Sequence, residues 1–158
     1  MYLAVAQAAF ALLGLWWVAV EVRHAEWMAD AGLRGGAYGI SLHFLLPGVM
    51  SLMAVAAPEH PAVWRVSFCA GALLGASEAV RRLNRPRPGR APDARTVGLV
   101  TLTVTYLLLG LLALAPSLLT ELGIGLRPLE AEGVLVGVLL FAGANLAWLA
   151  FAEPRATS

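Results

Sequence analysis

The sequence predicts an all-α fold: a polytopic integral membrane protein built as one bundle of about five transmembrane helices, N-terminus outside and C-terminus cytoplasmic. Three observations carry that prediction. The 158 residues are 59% hydrophobic and only 13% charged, whereas soluble domains run nearer half apolar and a quarter charged. Five segments approach the ~20 apolar residues that a helix needs to cross the hydrocarbon core. The arginines gather on one side of the threading that those segments define.

Taken in order, the spans are expected at about 2–22, 37–57, 62–80, 96–116 and 133–152, in a single domain covering residues 1–158. The first is uncharged from Tyr2 to Val20, and Gln7 is its one strongly polar side chain. No basic stretch precedes it and it is long for a signal-peptide core, so it reads as a retained span. The second is free of Asp, Glu and Arg and contains His43. The third is the weakest, because Arg65 and Glu78 interrupt it near its two ends. Arg65 can keep its stem in lipid and its head in water. The fourth and fifth are uncharged, with Asn145 inside the fifth. Trp16, Trp17, Trp27, Trp64 and Trp148 fall at or near the expected ends, where an amphipathic ring prefers the headgroup zone.

The connections carry their own signals. Pro58 and Pro61 bracket a tight turn between the second and third spans. The run Arg85-Pro86-Arg87-Pro88-Gly89-Arg90-Ala91-Pro92 cannot be helix, since proline removes backbone donors and restricts its predecessor. Residues 21–34 are expected to form a short interfacial helix, and residues 116–132 a turn on the lipid surface.

Placing the 85–90 loop in the cytoplasm sets the orientation. Arg23, Arg34, Arg81, Arg82, Arg85, Arg87, Arg90, Arg95 and Arg155 then lie inside, and Arg65 and Arg127 outside. If the third segment did not cross, Arg23 and Arg34 would fall opposite the basic loop. All eleven basic residues are arginine. That fits a GC-rich coding bias, and the expected location is the cytoplasmic (inner) membrane of a bacterium. The absence of lysine excludes a Schiff base or an amine nucleophile. Cys69 is the only cysteine, which excludes an intramolecular disulfide or a CxxC pair. It reads as a small buried hydrophobe.

Polar side chains in lipid are costly and usually face the bundle interior. On the third span, Ser67, Gly71, Gly75, Glu78 and Arg82 share one face, and Gly71/Gly75 form a GxxxG that admits a neighbouring backbone. That packing face places the third span centrally. Gly133/Gly137 form a second GxxxG, on a face shared by Gly137, Phe141, Asn145 and Trp148. On the first span the expected inward face is Gln7, Ala11, Gly14, Val18 and Glu21; on the fourth it is Gly98, Thr101 and Thr105. On the second, Gly39, His43, Pro47 and Met50 align, and Pro47 leaves the His43 carbonyl without its helical donor.

Depth sharpens this pattern. His43, Glu78, Thr101, Asn145 and Glu21 all fall within ~10 Å of the cytoplasmic interface at ~1.5 Å per residue. With Thr105 they form the expected ligand or ion cluster, a polar vestibule open to the cytoplasm and sealed by an apolar outer half. It predicts a raised pKa for Glu78 or a direct Glu78–His43 pair, since burial disfavours an isolated charge. The competing structural reading has Glu78 paired with Arg81 or Arg82, and Asn145 and the threonines bonding within or between helices.

Other chemistries find little support. Glu21 and His24 stand as a single E-x-x-H, short of the paired motifs that seat metals. No phosphate loop, nucleophile elbow, haem-ligating histidine pair or ion filter is present. No metal or other cofactor is implied. Arg81, Arg82, Arg85, Arg87 and Arg90 are expected to set topology and to contact anionic headgroups, each contributing about 1 kcal/mol. No aromatic residue is interleaved to stack bases, so nucleic acid is not an expected partner. The expected partners are the bilayer and either a second copy of the chain or a larger membrane complex.

Three function classes follow. The first binds or translocates a small solute, ion or proton through the polar cluster. The second is an accessory or scaffold subunit with no site of its own. The third is an intramembrane enzyme with Glu78 or His43 as acid and base. The missing nucleophile and metal motifs weigh against that last class.

Overall fold

A computed structural model describes residues 1–85 and 93–152, and every regular element among them is helical. Arg87, Arg90 and Arg155 lie outside the described residues. The helices are α1 (Tyr2–Val22), α2 (His24–Ala29), α3 (Ala31–Ala56), α4 (Pro61–Leu83), α5 (Ala94–Leu114), α6 (Leu118–Glu121) and α7 (Pro128–Ala152). Four of them, α1, α3, α5 and α7, are long and apolar enough to cross a membrane. With 23 residues α4 matches their length, but Arg65, Glu78, Arg81 and Arg82 make it less apolar.

Local chemistry fixes the ends. Asp30 is extended, and its carboxylate accepts from Leu33 N at 2.9 Å. That cap satisfies one of the orphan donors of a first turn. It stops α2 and starts α3 at Ala31, ahead of the expected 37. The interfacial helix foreseen over 21–34 is therefore reduced to α2. Asp93 caps α5 in the same way, accepting from Thr96 N at 2.9 Å and Thr96 Oγ1 at 3.0 Å. Pro61 opens α4 at its first turn, where a missing N–H costs nothing.

Bonds at both ends show that the long helices alternate in direction. At one end, called here the basic end, Arg23 Nη1 donates to Phe151 O at 2.8 Å, and Trp16 Nε1 to Ala37 O at 3.1 Å. Arg82 Nη2 donates there to the Gly35 and Gly36 carbonyls. At the far end Tyr2 OH donates to Leu129 O. Arg65 donates from Nε to Ala113 O at 2.7 Å and from Nη2 to Leu114 O at 3.0 Å. So α1, α4 and α7 run one way, and α3 and α5 the other.

The centre of the bundle is α3, which corrects the expectation that the third span sits there. In α3, 56% of the most apolar window is buried, against 22% in α1 and 33% in α5 and α7. It packs against α1, α2, α4 and α7, whereas α4 packs on α5 and α3. The physical reason is the spread of small residues around α3: Ala37, Gly39, Ser41, Gly48, Ser51 and Ala54 are all buried. Small side chains on several faces let several backbones approach.

Large side chains fill the space between. Phe44, Met50, Phe68, Leu102, Tyr106, Leu109 and Leu139 are fully buried. Of the five tryptophans expected at or near the span ends, Trp16, Trp27 and Trp64 are buried between helices, while Trp17 and Trp148 are exposed. Trp16 and Trp27 meet edge to face at 5.6 Å, and Trp64 meets Phe68 likewise at 6.1 Å. Such edge contacts exploit the ring quadrupole.

The glycine motifs divide. A methyl group at Gly71 would strike Met50, and one at Gly75 would collide with the Tyr106 ring. At both glycines a neighbouring side chain occupies the space a Cβ would take. Gly133 lies against Met1. Gly137 faces outward with nothing within contact distance of an added Cβ. The second GxxxG is therefore not a packing stripe within the chain.

Candidate functional site

One turn of α4 assembles the strongest polar construction in the molecule. Residues three and four apart share a helix face, so Glu78, Arg81 and Arg82 meet without tertiary help. Arg81 donates from Nε at 2.9 Å and Nη2 at 2.6 Å to Glu78 Oε2, and Arg82 Nε donates at 2.7 Å to Oε1. The side chains of Glu78 and Arg82 are 8% and 7% exposed, whereas that of Arg81 is 55% exposed. Arg82 spends its other arm on the Gly35 and Gly36 carbonyls of α3. Gly39 faces the pair, and a side chain there would overlap both Arg82 and Glu78. Charge-assisted bonds of this kind are about twice as strong as neutral ones, so Arg82 is held in one place.

Arg82 is also a wall of a cavity of about 440 Å³ at the basic end, between α2, α3, α4, α5 and α7. Arg82, Arg85 and Arg95 are among its lining residues, with Asp30 as the one acidic residue among the described residues there. Trp27, Gly32 and Gly36 form part of the rim, and Ile40, Leu99 and Leu146 supply apolar surface. The lining thus combines apolar surface with guanidinium groups, a side chain whose fork can match phosphate or carboxylate geometry.

Next to this construction along α3 lies His43, fully buried. Its Nδ1 stands 3.3 Å from Tyr106 OH, and its Nε2 has no partner among the described residues. The expected Glu78–His43 pair is not formed, because Glu78 is occupied by its own helix and His43 by α5.

The rest of the expected cluster is only partly gathered. Thr105 is buried and Thr101 half-buried on α5. Asn145 is exposed, and its amide donates at 2.8 Å to Phe141 O of its own helix. Glu21 is exposed beside His24, at 3.3 Å. On α1 the whole expected inward face is reversed: Gln7, Ala11, Gly14, Val18 and Glu21 are exposed, and Ala6, Ala9, Trp16 and Val20 are buried. The face of Gly137, Phe141, Asn145 and Trp148 turns outward in the same way. Among the described residues no three His, Cys, Asp or Glu side chains come together to hold a metal.

Sequence reasoning missed three participants. Tyr106, the partner of His43, looked like one more apolar residue in its span. Arg95, which lines the cavity, was expected only as the end of a polybasic stretch that sets topology and touches headgroups. Glu132 was placed in an exterior loop, yet it is fully buried in α7, and neither of its carboxyl oxygens has a partner. A usable signal existed for Arg95, which lies in the first turn after the Asp93 cap, close to the loop that follows Arg82. No family model, curated protein or solved structure matches this chain.

Proposed function

We propose that the chain is a five-span membrane protein, N-terminus outside and C-terminus cytoplasmic, that binds or moves a small anionic solute through its arginine-lined cavity. The observation that carries this reading is the cavity itself, whose described lining holds three arginines and one aspartate. Basic pockets between membrane helices on the cytoplasmic side take phosphate-bearing headgroups and related anions. The alternating long helices support α4 as a fifth span. Its charges are sheltered: Glu78 and Arg82 satisfy one another inside the bundle, and Arg65 bonds the last carbonyls of α5. Arg23, Arg34, Arg81, Arg82, Arg85 and Arg95 then share the cytoplasmic side. A bacterial cytoplasmic membrane is the proposed location.

Titration calorimetry with inorganic phosphate and with a short-chain anionic phospholipid tests the reading. Arg85→Gln and Arg95→Gln are each expected to weaken binding about tenfold, which is ~1.4 kcal/mol. Phosphate binding equal to that of the phospholipid identifies a soluble anion, and binding of the phospholipid alone identifies a lipid. Equal affinity in wild type and both variants, or no binding at all, overturns it.

One observation favours a second reading, that of an accessory or scaffold subunit. Gln7, Gly14, Gly137 and Asn145 all turn outward from the bundle, where small and polar residues suit contact with another membrane helix. On that reading Gly14→Leu and Gly137→Leu change the assembly size measured by light scattering, while Arg85→Gln does not.

A further inference from the structure

The far end of the bundle holds a carboxyl group in quite different surroundings. Glu132, in the second turn of α7, has no exposed surface and, among the described residues, no hydrogen-bond partner on either oxygen. We propose that Glu132 is a proton-binding site, a carboxylic acid that takes up and releases one proton at the end opposite the arginine cavity. The proposal is independent of the anion reading and stands if that reading fails.

The choice of ligand follows from what surrounds the carboxyl. An isolated ionised carboxylate withdrawn from water is far more costly than the neutral acid. A metal cation would relieve that cost only with several oxygen ligands, and the described residues supply no group of three acidic, histidine or cysteine side chains. The proton is the one cation for which a single carboxyl is enough.

Groups on α1, α4, α3 and α7 bear on the exchange. From α1 comes Tyr2, within electrostatic reach of Glu132, its hydroxyl already donated to Leu129 O. From α4 comes Arg65, the cation whose field reaches the carboxyl. Two of its donors are given to Ala113 O and Leu114 O at the end of α5. Toward the same end α3 carries Ser51, whose buried hydroxyl has no partner. On α7 itself Glu130 turns outward and is bonded to Arg127 at 2.8 and 2.6 Å. Among the described residues no hydrogen bond holds either oxygen. That freedom distinguishes Glu132 from a carboxylate fixed in a structural pair.

Infrared spectroscopy of the purified full chain, titrated from acidic to alkaline pH, tests the proposal. The expected result is a protonated-carboxyl carbonyl band present at neutral pH, lost as the pH rises, and missing at neutral pH from Glu132→Gln. Glu132→Asp keeps the acid and is expected to shift that band, which secures the assignment should the glutamine variant fail to fold. A wild type without the band at neutral pH overturns the proposal. So does a band that never titrates, one that survives in Glu132→Gln, or one that is unmoved in Glu132→Asp.

Discussion

Glu78 and Glu132 are the same side chain in nearly the same degree of burial, 7% and 0% exposed, at opposite ends of one bundle. Glu78 receives three charge-assisted bonds from arginines one turn ahead on its own helix. Glu132 receives none. The difference lies in spacing. Arginines at three and four residues share the face of Glu78, so the ion pair forms with the helix. Arg127 lies five residues before Glu132 and is taken by Glu130. Burial alone therefore does not define what a membrane carboxyl does; the partners on its own turn decide it.

The comparison is broken most directly at Glu78. Glu78→Ala leaves Arg82 buried without its carboxylate, and breaking a buried pair in this way costs about 3–5 kcal/mol. Glu132→Gln keeps the shape and leaves no unpaired charge behind, so its expected cost is the smaller one of an unpaired buried amide, about 1–3 kcal/mol at most. Unfolding in mixed micelles measures both. Equal losses at the two positions would erase the distinction between them.

The next effect sharpens the contrast between inward and outward glycines. Gly75→Ala drives a methyl group into the Tyr106 ring, an overpacking expected to cost about 1–3 kcal/mol. Gly137→Ala meets nothing, and the same unfolding measurement is expected to place it within ~0.5 kcal/mol of wild type. The smallest effect belongs to Arg81. Its pair with Glu78 is short but its side chain is 55% exposed, and such pairs contribute about 0–1 kcal/mol. Arg81→Ala should therefore lie close to wild type, and a loss matching that of Glu78→Ala would shift the anchoring role from Arg82 to Arg81.

Much of the architecture was legible because apolar length is a direct physical requirement. The expected spans at about 2–22 and 96–116 match α1 (Tyr2–Val22) and α5 (Ala94–Leu114) to within two residues. The facing of the helices was not legible. A helix that is apolar all round offers no amphipathic stripe to read. The rule that polar residues turn inward then rested on single residues, Gln7 in α1 and Asn145 in α7, and failed for both. Asn145 satisfies its amide on its own helix at Phe141 O, so it has no need of the interior. In α4 the charges themselves marked the face, and there Gly71, Gly75, Glu78 and Arg82 were placed correctly. The cavity was hidden for another reason: its walls come from four separate stretches of chain, and only the fold brings Arg82, Arg85 and Arg95 around one space.

Pro47 lies inside α3, which continues through it as helix. The carbonyl of His43 has no helical donor there, and Gly143 of α7 is set against it, its absent Cβ only 3.5 Å from that oxygen. In mechanical terms the central rod has one rung missing halfway along its length. Bending at that level works against one hydrogen bond fewer than elsewhere along α3. A bend in the helix that lies at the centre of the bundle therefore has its natural place at His43 and Pro47.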